Sequence, residues 1–222
     1  MLFTTMGKIL DAILNKGKGM VLGKLRTITL IEVNLQHVMR MCLNDDEEEL
    51  IEEDERMSKS NYGSRKNYSI ENAILEKRLV MDKSLISCKK TTCHLTDLKS
   101  CYDRQLVNIG GLIEESIGRD RDVMKMLTKL MPRWKHYVST AHGISEEYHG
   151  GNECELAGTG QVNKFSGDVC RDTSCMIIKV LENEKLGIKF KSKMSQLETL
   201  TSAIAFVDDE DLVAEGKEVE KR

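Results

Sequence analysis

With one proline and 16 glycines in 222 residues, the chain lacks the composition of collagen-like, mucin-like or low-complexity proteins. It also lacks a long apolar run. The most apolar stretches, such as Ala203 to Val207, fall far short of the roughly 18 residues that a membrane span requires. No secretory leader is legible at the N-terminus, because Lys8 and Asp11 interrupt the place where its apolar stretch would stand. The seven cysteines, at 42, 88, 93, 101, 154, 170 and 175, are odd in number and form no CxxC pair, and the five histidines form no HxxxH pair. Neither a disulfide framework nor a zinc site is therefore indicated, and buried free thiols in a reducing compartment are expected. These absences point to a nuclear or cytoplasmic chain, neither secreted nor membrane-bound.

What is present is a globular composition, 40% hydrophobic and 31% charged, with a mean hydropathy of -0.36. That suffices for one large domain or two small ones without staples. The net charge of -3 hides an asymmetry. Nine acids and no base crowd into Asp45, Asp46, Glu47, Glu48, Glu49, Glu52, Glu53, Asp54 and Glu55, which leaves about +6 on the rest. Such a basic body suits a polyanionic ligand, with the acidic run as a solvated segment.

Apolar residues recur with helical period from Ser69 to about Ser87, where Ile70, Ala73, Ile74, Val80, Met81 and Leu85 share a side and Ser69 stands as N-cap. Cys93 to Thr96 reads as a strand. Asp103 is placed to cap a helix carrying Leu106, Ile109, Leu112 and Ile113, and a further helix with Val123, Met124, Leu127 and Leu130 stops at Pro132. Trp134 to Ala141 alternates and returns past Gly143, Gly150 and Gly151 as a hairpin or loose ribbon. After a glycine turn at Gly158 to Gly160, a helix is expected from Ser166 to about Glu184, with strands at Gly187 to Phe190 and Leu200 to Val207. Asp208 and Asp209 then sit where a hairpin turns toward the apolar stretch Leu212 to Ala214.

Three segments stand in a telling order: Asp97 with Tyr102 and Asp103, Gly158 and Gly160 with Gln161, and Phe206 with Asp208 and Asp209. Two others precede them. Gly63, Arg65, Ser69 and Ala73 follow a GxRxxxS spacing, and Lys24, Arg26, Ile28 and Leu30 a KxRxIxL spacing. Together these resemble the reverse transcriptases of non-LTR retrotransposons from about Lys16 to Leu212. Each motif alone is a weak signal, and their ordered combination is the specific one. Thr27, Val162 and Glu210 depart from the family's pattern.

The resemblance implies an α+β, helix-rich fold: a polymerase palm with an antiparallel sheet backed by helices, plus partial fingers. Residues 1–68 would form the partial fingers with an acidic insertion at 45–55. Residues 69–222 would form the palm, with a return fingers segment at about 132–160 and the thumb absent. The implied activity is RNA-directed DNA synthesis, a nucleotidyl transfer assisted by two Mg2+ ions, with Mn2+ able to substitute. Asp97, Asp208 and Asp209 would be the catalytic and metal-binding carboxylates, the hard oxygen donors such ions prefer. Tyr102 would lie under the sugar and exclude a 2′-hydroxyl, Gln161 would line the nucleotide and template, and Arg26 with Lys16 would hold the triphosphate. Arg65 and Ser69 would order the passage into the palm. Partners would be an RNA template, a DNA primer and dNTPs, with thumb, endonuclease or RNase H regions of a polyprotein missing.

By ordinary chemistry, Asp103 is a helix cap, and His142, His149 and Cys154 are structural. Two other functions compete: a decayed or co-opted palm that grips nucleic acid without synthesis, and an α-rich interaction protein that would not depend on Asp97.

Overall fold

The chain is interleaved: Met1–Leu50 and Ser100–Val169 build one unit, Ile51–Lys99 and Cys170–Arg222 another. The computed structural model describes residues 8–14, 26–43, 51, 56–97, 101–140, 143–150, 158–160, 163–192, 194–207 and 209–215, with the backbone alone at 8–14, 26–29, 140 and 149. The elements begin with β1 (Lys8–Leu14), β2 (Arg26–Ile31), α1 (Val33–Cys42), α2 (Ile70–Ser87) and β3 (Thr91–Asp97). There follow α3 (Cys101–Arg104), α4 (Val107–Ile117), α5 (Arg121–Leu130), β4 (Lys135–Thr140) and β5 (Gly143–Gly150). The chain continues through α6 (Lys164–Asn183), β6 (Ile188–Lys191), β7 (Glu198–Thr201), β8 (Ala203–Phe206) and β9 (Asp209–Glu215).

In the first unit the sheet order is β2-β1-β4-β5. β1 runs antiparallel to β2 and parallel to β4, and β5 folds back on β4. The core beside it follows from spacing. Ile31, Leu35, Met39 and Leu43, each four residues from the next, are buried with Met124, Leu127, Trp134, Phe165 and Val169. α5 starts on Asp120, whose carboxylate accepts hydrogen bonds from the amides of Asp122 and Val123, both at 2.9 Å, and it ends before Pro132, which lies in a single 3-10 turn.

One expected helix is different. Asp103 does not cap the helix that carries Leu106; it lies within the short α3, and α4 begins separately at Val107. Inward-facing positions of α4 are Val107, Gly110, Gly111, Glu114 and Ile117, whereas Leu106, Ile109 and Leu112 face outward. The glycine side wins because a Cβ on Gly110 would stand 2.5 Å from Val169 Cγ1, a close approach that a leucine side cannot make.

The second unit contains an antiparallel sheet in the order β3-β9-β8 and a separate pair, β6-β7. Alternation gives the larger sheet two different faces. Ile204 and Val213 pack with Ala73 and Val80 of α2, and Ala203, Ala205 and Leu212 pack with Ile178 of α6. Of the six apolar residues expected on one side of α2, only Ala73 and Val80 are buried; Ile70, Ile74, Met81 and Leu85 are about half exposed or more. The seam that meets the sheet is narrow. The predicted strand Leu200 to Val207 is in fact two, β7 and β8, in different sheets. They part at Ser202, whose hydroxyl donates to Leu186 O at 2.5 Å while its carbonyl accepts from Val213 N at 3.0 Å.

β1 and α1 were not anticipated, and the acidic run 45–55 falls almost wholly outside the described residues. Cys101 and Cys170 are each disulfide-bonded, which corrects the expectation of free thiols at those positions, since spacing reports only on partners close in sequence. Cys42, Cys88, Cys93 and Cys175 are free. Among the described residues no helix is long and apolar enough to cross a membrane.

Candidate functional site

β3 ends on Asp97 and β9 begins on Asp209, and the two are paired directly across the antiparallel ladder. Side chains at directly opposed positions leave on the same face, with Cβ atoms about 4.5–5.5 Å apart. Both are exposed, so each carboxylate is open to solvent and to a ligand. The register is set by the hairpin, in which Phe206 pairs with Asp209 and only two residues remain for the turn. One of these, Asp208, lies outside the described residues, so its expected meeting with Asp97 does too. Lys16 and Gln161 also lie outside, and Arg26 is described by its backbone in β2 alone.

The other turn residue, Val207, has φ +61°, an unusual conformation for a β-branched side chain. A neighbouring segment supports it. Ala205 N donates to Ser60 O at 2.9 Å and Tyr62 N to Ala205 O at 2.8 Å, so residues 60–62 run beside β8 as an added edge. Gly63 follows at once. A Cβ there would stand 2.3 Å from Val207 N and 3.0 Å from Val207 Cα, so only glycine leaves room for the turn. Arg65 folds back to hold this segment, donating from Nη1 to Ser58 O at 2.6 Å and Asn61 O at 2.8 Å, with its guanidinium 3.9 Å from the centre of the Tyr68 ring.

The face that carries the aspartates borders a cavity of about 390 Å³, lined by Asp97, Asp209, Asp211, Lys77, Ile74 and Phe206.

 Leu95 and Ile204 complete its apolar wall. Lys77 Nζ lies 2.5 Å from Asp211 Oδ2. That hydrogen bond is the main reason the ammonium is held above its ordinary range, with Asp209 adding to it. Sequence reasoning missed both residues. The signal for Asp211 is its two-residue spacing from Asp209 on one strand, and for Lys77 its place four residues after Ala73 on the helix.

Glu210 faces the other way. It is buried on the α6 side and accepts a hydrogen bond from Ser174 Oγ at 2.5 Å, so this departure from the family's pattern stays clear of the aspartate face. Among the described residues no group of three His, Cys, Asp or Glu side chains could hold a metal ion. Asp97 and Asp209 are nonetheless a pair of hard oxygen donors, and Mg2+ commonly takes only one or two protein carboxylates beside water and phosphate. The ammonium of Lys77 on the same face shows that this face accommodates a cation. The donor chemistry fits the ion.

In the first unit, the glycine turn meets the residues that follow the first aspartate. Thr159 N donates to Tyr102 O at 2.8 Å. Gly158, at φ +98°, comes so near that a Cβ would stand 2.7 Å from Asp103 O. Asn163 then starts α6: its Oδ1 accepts from Ser166 N at 2.7 Å while its Nδ2 donates to Thr159 O at 2.7 Å. The helix thus begins two residues before the expected Ser166, at Lys164. The Tyr102 side chain is half-buried and Asp103 is exposed.

A larger cavity of about 960 Å³ in the second unit holds none of the expected site residues. In its wall the Tyr62 hydroxyl donates to Glu76 Oε2, and Thr201 Oγ1 donates to Glu76 Oε1 at 2.7 Å.

No protein-family model matches the sequence, and no curated protein does. The fold is similar to that of telomerase. Apo telomerase from Candida tropicalis, truncated from its C-terminal domain, superposes with a TM-score of 0.57 at 11% identity, over 97% of this chain and 45% of that one. Telomerase from the same organism in complex with a TWJ fragment of telomeric RNA gives 0.56 at 12% identity, over 97% and 37%. The Candida albicans enzyme in the corresponding complex gives 0.53 at 12% identity, over 96% and 37%. This chain thus spans less than half the length of the telomerase chains it matches. The fold is a mixed α+β one, an antiparallel sheet with helices against it, matching a polymerase palm-like part of telomerase.

Proposed function

We propose that the chain is an RNA-directed DNA polymerase domain of the reverse-transcriptase kind, belonging to a retrotransposon-like element. The observation that carries this reading is the direct pairing of Asp97 with Asp209 at one end of the β3-β9-β8 sheet. The telomerase likeness supports it at the level of fold, and RNA stands as the expected template because two of those telomerase structures hold RNA.

In this reading Asp97 and Asp209, together with Asp208, hold two Mg2+ ions. When bound, those ions supply the positive charge that activates the primer 3′-hydroxyl and stabilises departing pyrophosphate. The chain's own groups do the positioning. Asp97 and Asp209 are fixed by a continuous ladder that puts them on one face. Tyr102 turns its ring to the sugar of the incoming dNTP, Gln161 lines the nucleotide and template, and Arg26 and Lys16 grip the triphosphate. Residues 1–68 serve as partial fingers and 69–222 as palm, with 132–160 returning to the fingers. The DNA primer, and thumb, endonuclease or RNase H regions, complete the machinery.

A second reading, a palm that binds nucleic acid without synthesis, is favoured by one observation. Lys77 already neutralises part of the aspartate face through Asp211. Extension of a DNA primer by one nucleotide on an RNA template, with Mg2+, separates the two. The polymerase reading predicts incorporation that disappears in Asp97→Asn; template binding with no incorporation by the wild-type chain supports the second reading instead.

A further inference from the structure

We infer that Lys77 is a positioning residue that withholds Asp211 from the cation site of Asp97 and Asp209, and thereby sets how tightly that site holds a divalent ion. The inference rests on the proposed function and concerns the same face.

Its first support is the helix. Ala73, Lys77 and Val80 fall at i, i+4 and i+7, so they share one side of α2, and Ala73 and Val80 are buried against Ile204 and Val213 of the sheet. Lys77 therefore stands beside the sheet-facing seam, partly open to solvent. Its side chain is 36% exposed and that of Asp211 18%, so the pair is less screened than one on the open surface.

The second support is the strand. Asp209 and Asp211 are two residues apart in β9, and Asp97 lies opposite Asp209 while Leu95 lies opposite Asp211. Period-two alternation puts all three carboxylates on one face, with successive same-face positions about 7 Å apart. Without a counter-charge, Asp211 adds a third negative group to the field at the pair. With Lys77 at 2.5 Å, that contribution is cancelled and the carboxylate is held toward the helix. The Asp209 carboxylate also acts on Lys77, so the ammonium senses both acids of β9.

The consequence is a pair of opposite effects. Removing the ammonium exposes Asp211 and should tighten Mn2+ binding about tenfold; removing the Asp211 charge leaves the ammonium facing Asp209 and should loosen it about tenfold. Removing both returns the affinity near that of the wild type. A loss of packing would shift both single variants in the same direction.

The test is Mn2+ binding to the full chain, followed by the electron paramagnetic resonance of the free ion at fixed ionic strength, with thermal melts to check folding. The expected order of affinity is Lys77→Met above wild type above Asp211→Asn, with Lys77→Arg near wild type. If Asp97→Asn abolishes binding while Lys77→Met and Asp211→Asn bind like wild type, the inference is overturned and the site stands. If wild-type binding is indifferent to Asp97→Asn, the site reading fails, and the inference with it. Should Lys77→Met not fold, Asp211→Asn decides: affinity equal to or above wild type overturns the inference.

Discussion

Asp97, the last residue of β3, is the direct cross-strand partner of Asp209, the first residue of β9. The arrangement tolerates no slip. A shift of one residue would send Asp209 to the α6 side and bring Glu210 to the open face, and the Glu210–Ser174 hydrogen bond at 2.5 Å resists that shift from behind. Because both aspartates are exposed, Asp97→Asn and Asp209→Asn should leave the melting temperature nearly unchanged. Each should lower single-nucleotide incorporation by about a hundredfold or more. Melting curves beside single-turnover extension check both halves of the expectation.

Gly63→Ala should act on stability and on the site together. The added Cβ would meet the backbone of Val207 at 2.3 Å, and backbone cannot swing aside as a flexible side chain would. A cost of about 1–3 kcal/mol is expected, read by urea denaturation, with a fall in Mn2+ affinity because the turn next to Asp209 is displaced. Unaltered denaturation would mean that residues 60–63 do not brace the hairpin.

For Tyr102, backbone and side chain have separable roles. The carbonyl holds Thr159, and Tyr102→Ala keeps that carbonyl. The variant should therefore fold normally and discriminate against ribonucleotides at least about tenfold less well, with dNTP incorporation little changed. Parallel losses for both sugars would make the ring a packing element.

Cys175 gives a pH signature. Burial, with Asp172 adding to it, pushes its thiol up to about 11 from an ordinary 9.0. The folded chain thus keeps this proton more strongly than the unfolded one. The associated stability is complete below pH 9.0 and is lost as pH rises toward about 11, on the order of 2–3 kcal/mol in all. Chemical denaturation across that range should show a decline that Cys175→Ala flattens, and iodoacetamide at pH 8 should reach exposed Cys88 well before Cys175.

Much of this fold was legible because local rules decided it. α5 shows its apolar spacing and its stop before Pro132, and the hairpin around Asp208 follows from apolar stretches on either side of a polar turn. Other elements depended on tertiary choices. α2 carries apolar residues nearly all round, so spacing alone could not say that the sheet takes Ala73 and Val80 and leaves Leu85 exposed. α4 buries its glycines because of what packs against them, and Ser202 divides one apolar stretch between two sheets through bonds to Leu186 and Val213. At the site, residue order pointed to the aspartates. The Lys77–Asp211 pair lay beyond such reasoning, because it joins a helix and a strand more than a hundred positions apart.

The most direct test of the central claim is anomalous diffraction from crystals of the chain soaked with Mn2+ and a dNTP. A Mn2+ peak is expected within coordination distance, about 2.0–2.3 Å, of a carboxylate oxygen of Asp97 and one of Asp209, with the nucleotide phosphates completing the shell. A nucleotide bound with its Mn2+ away from both aspartates would contradict that claim.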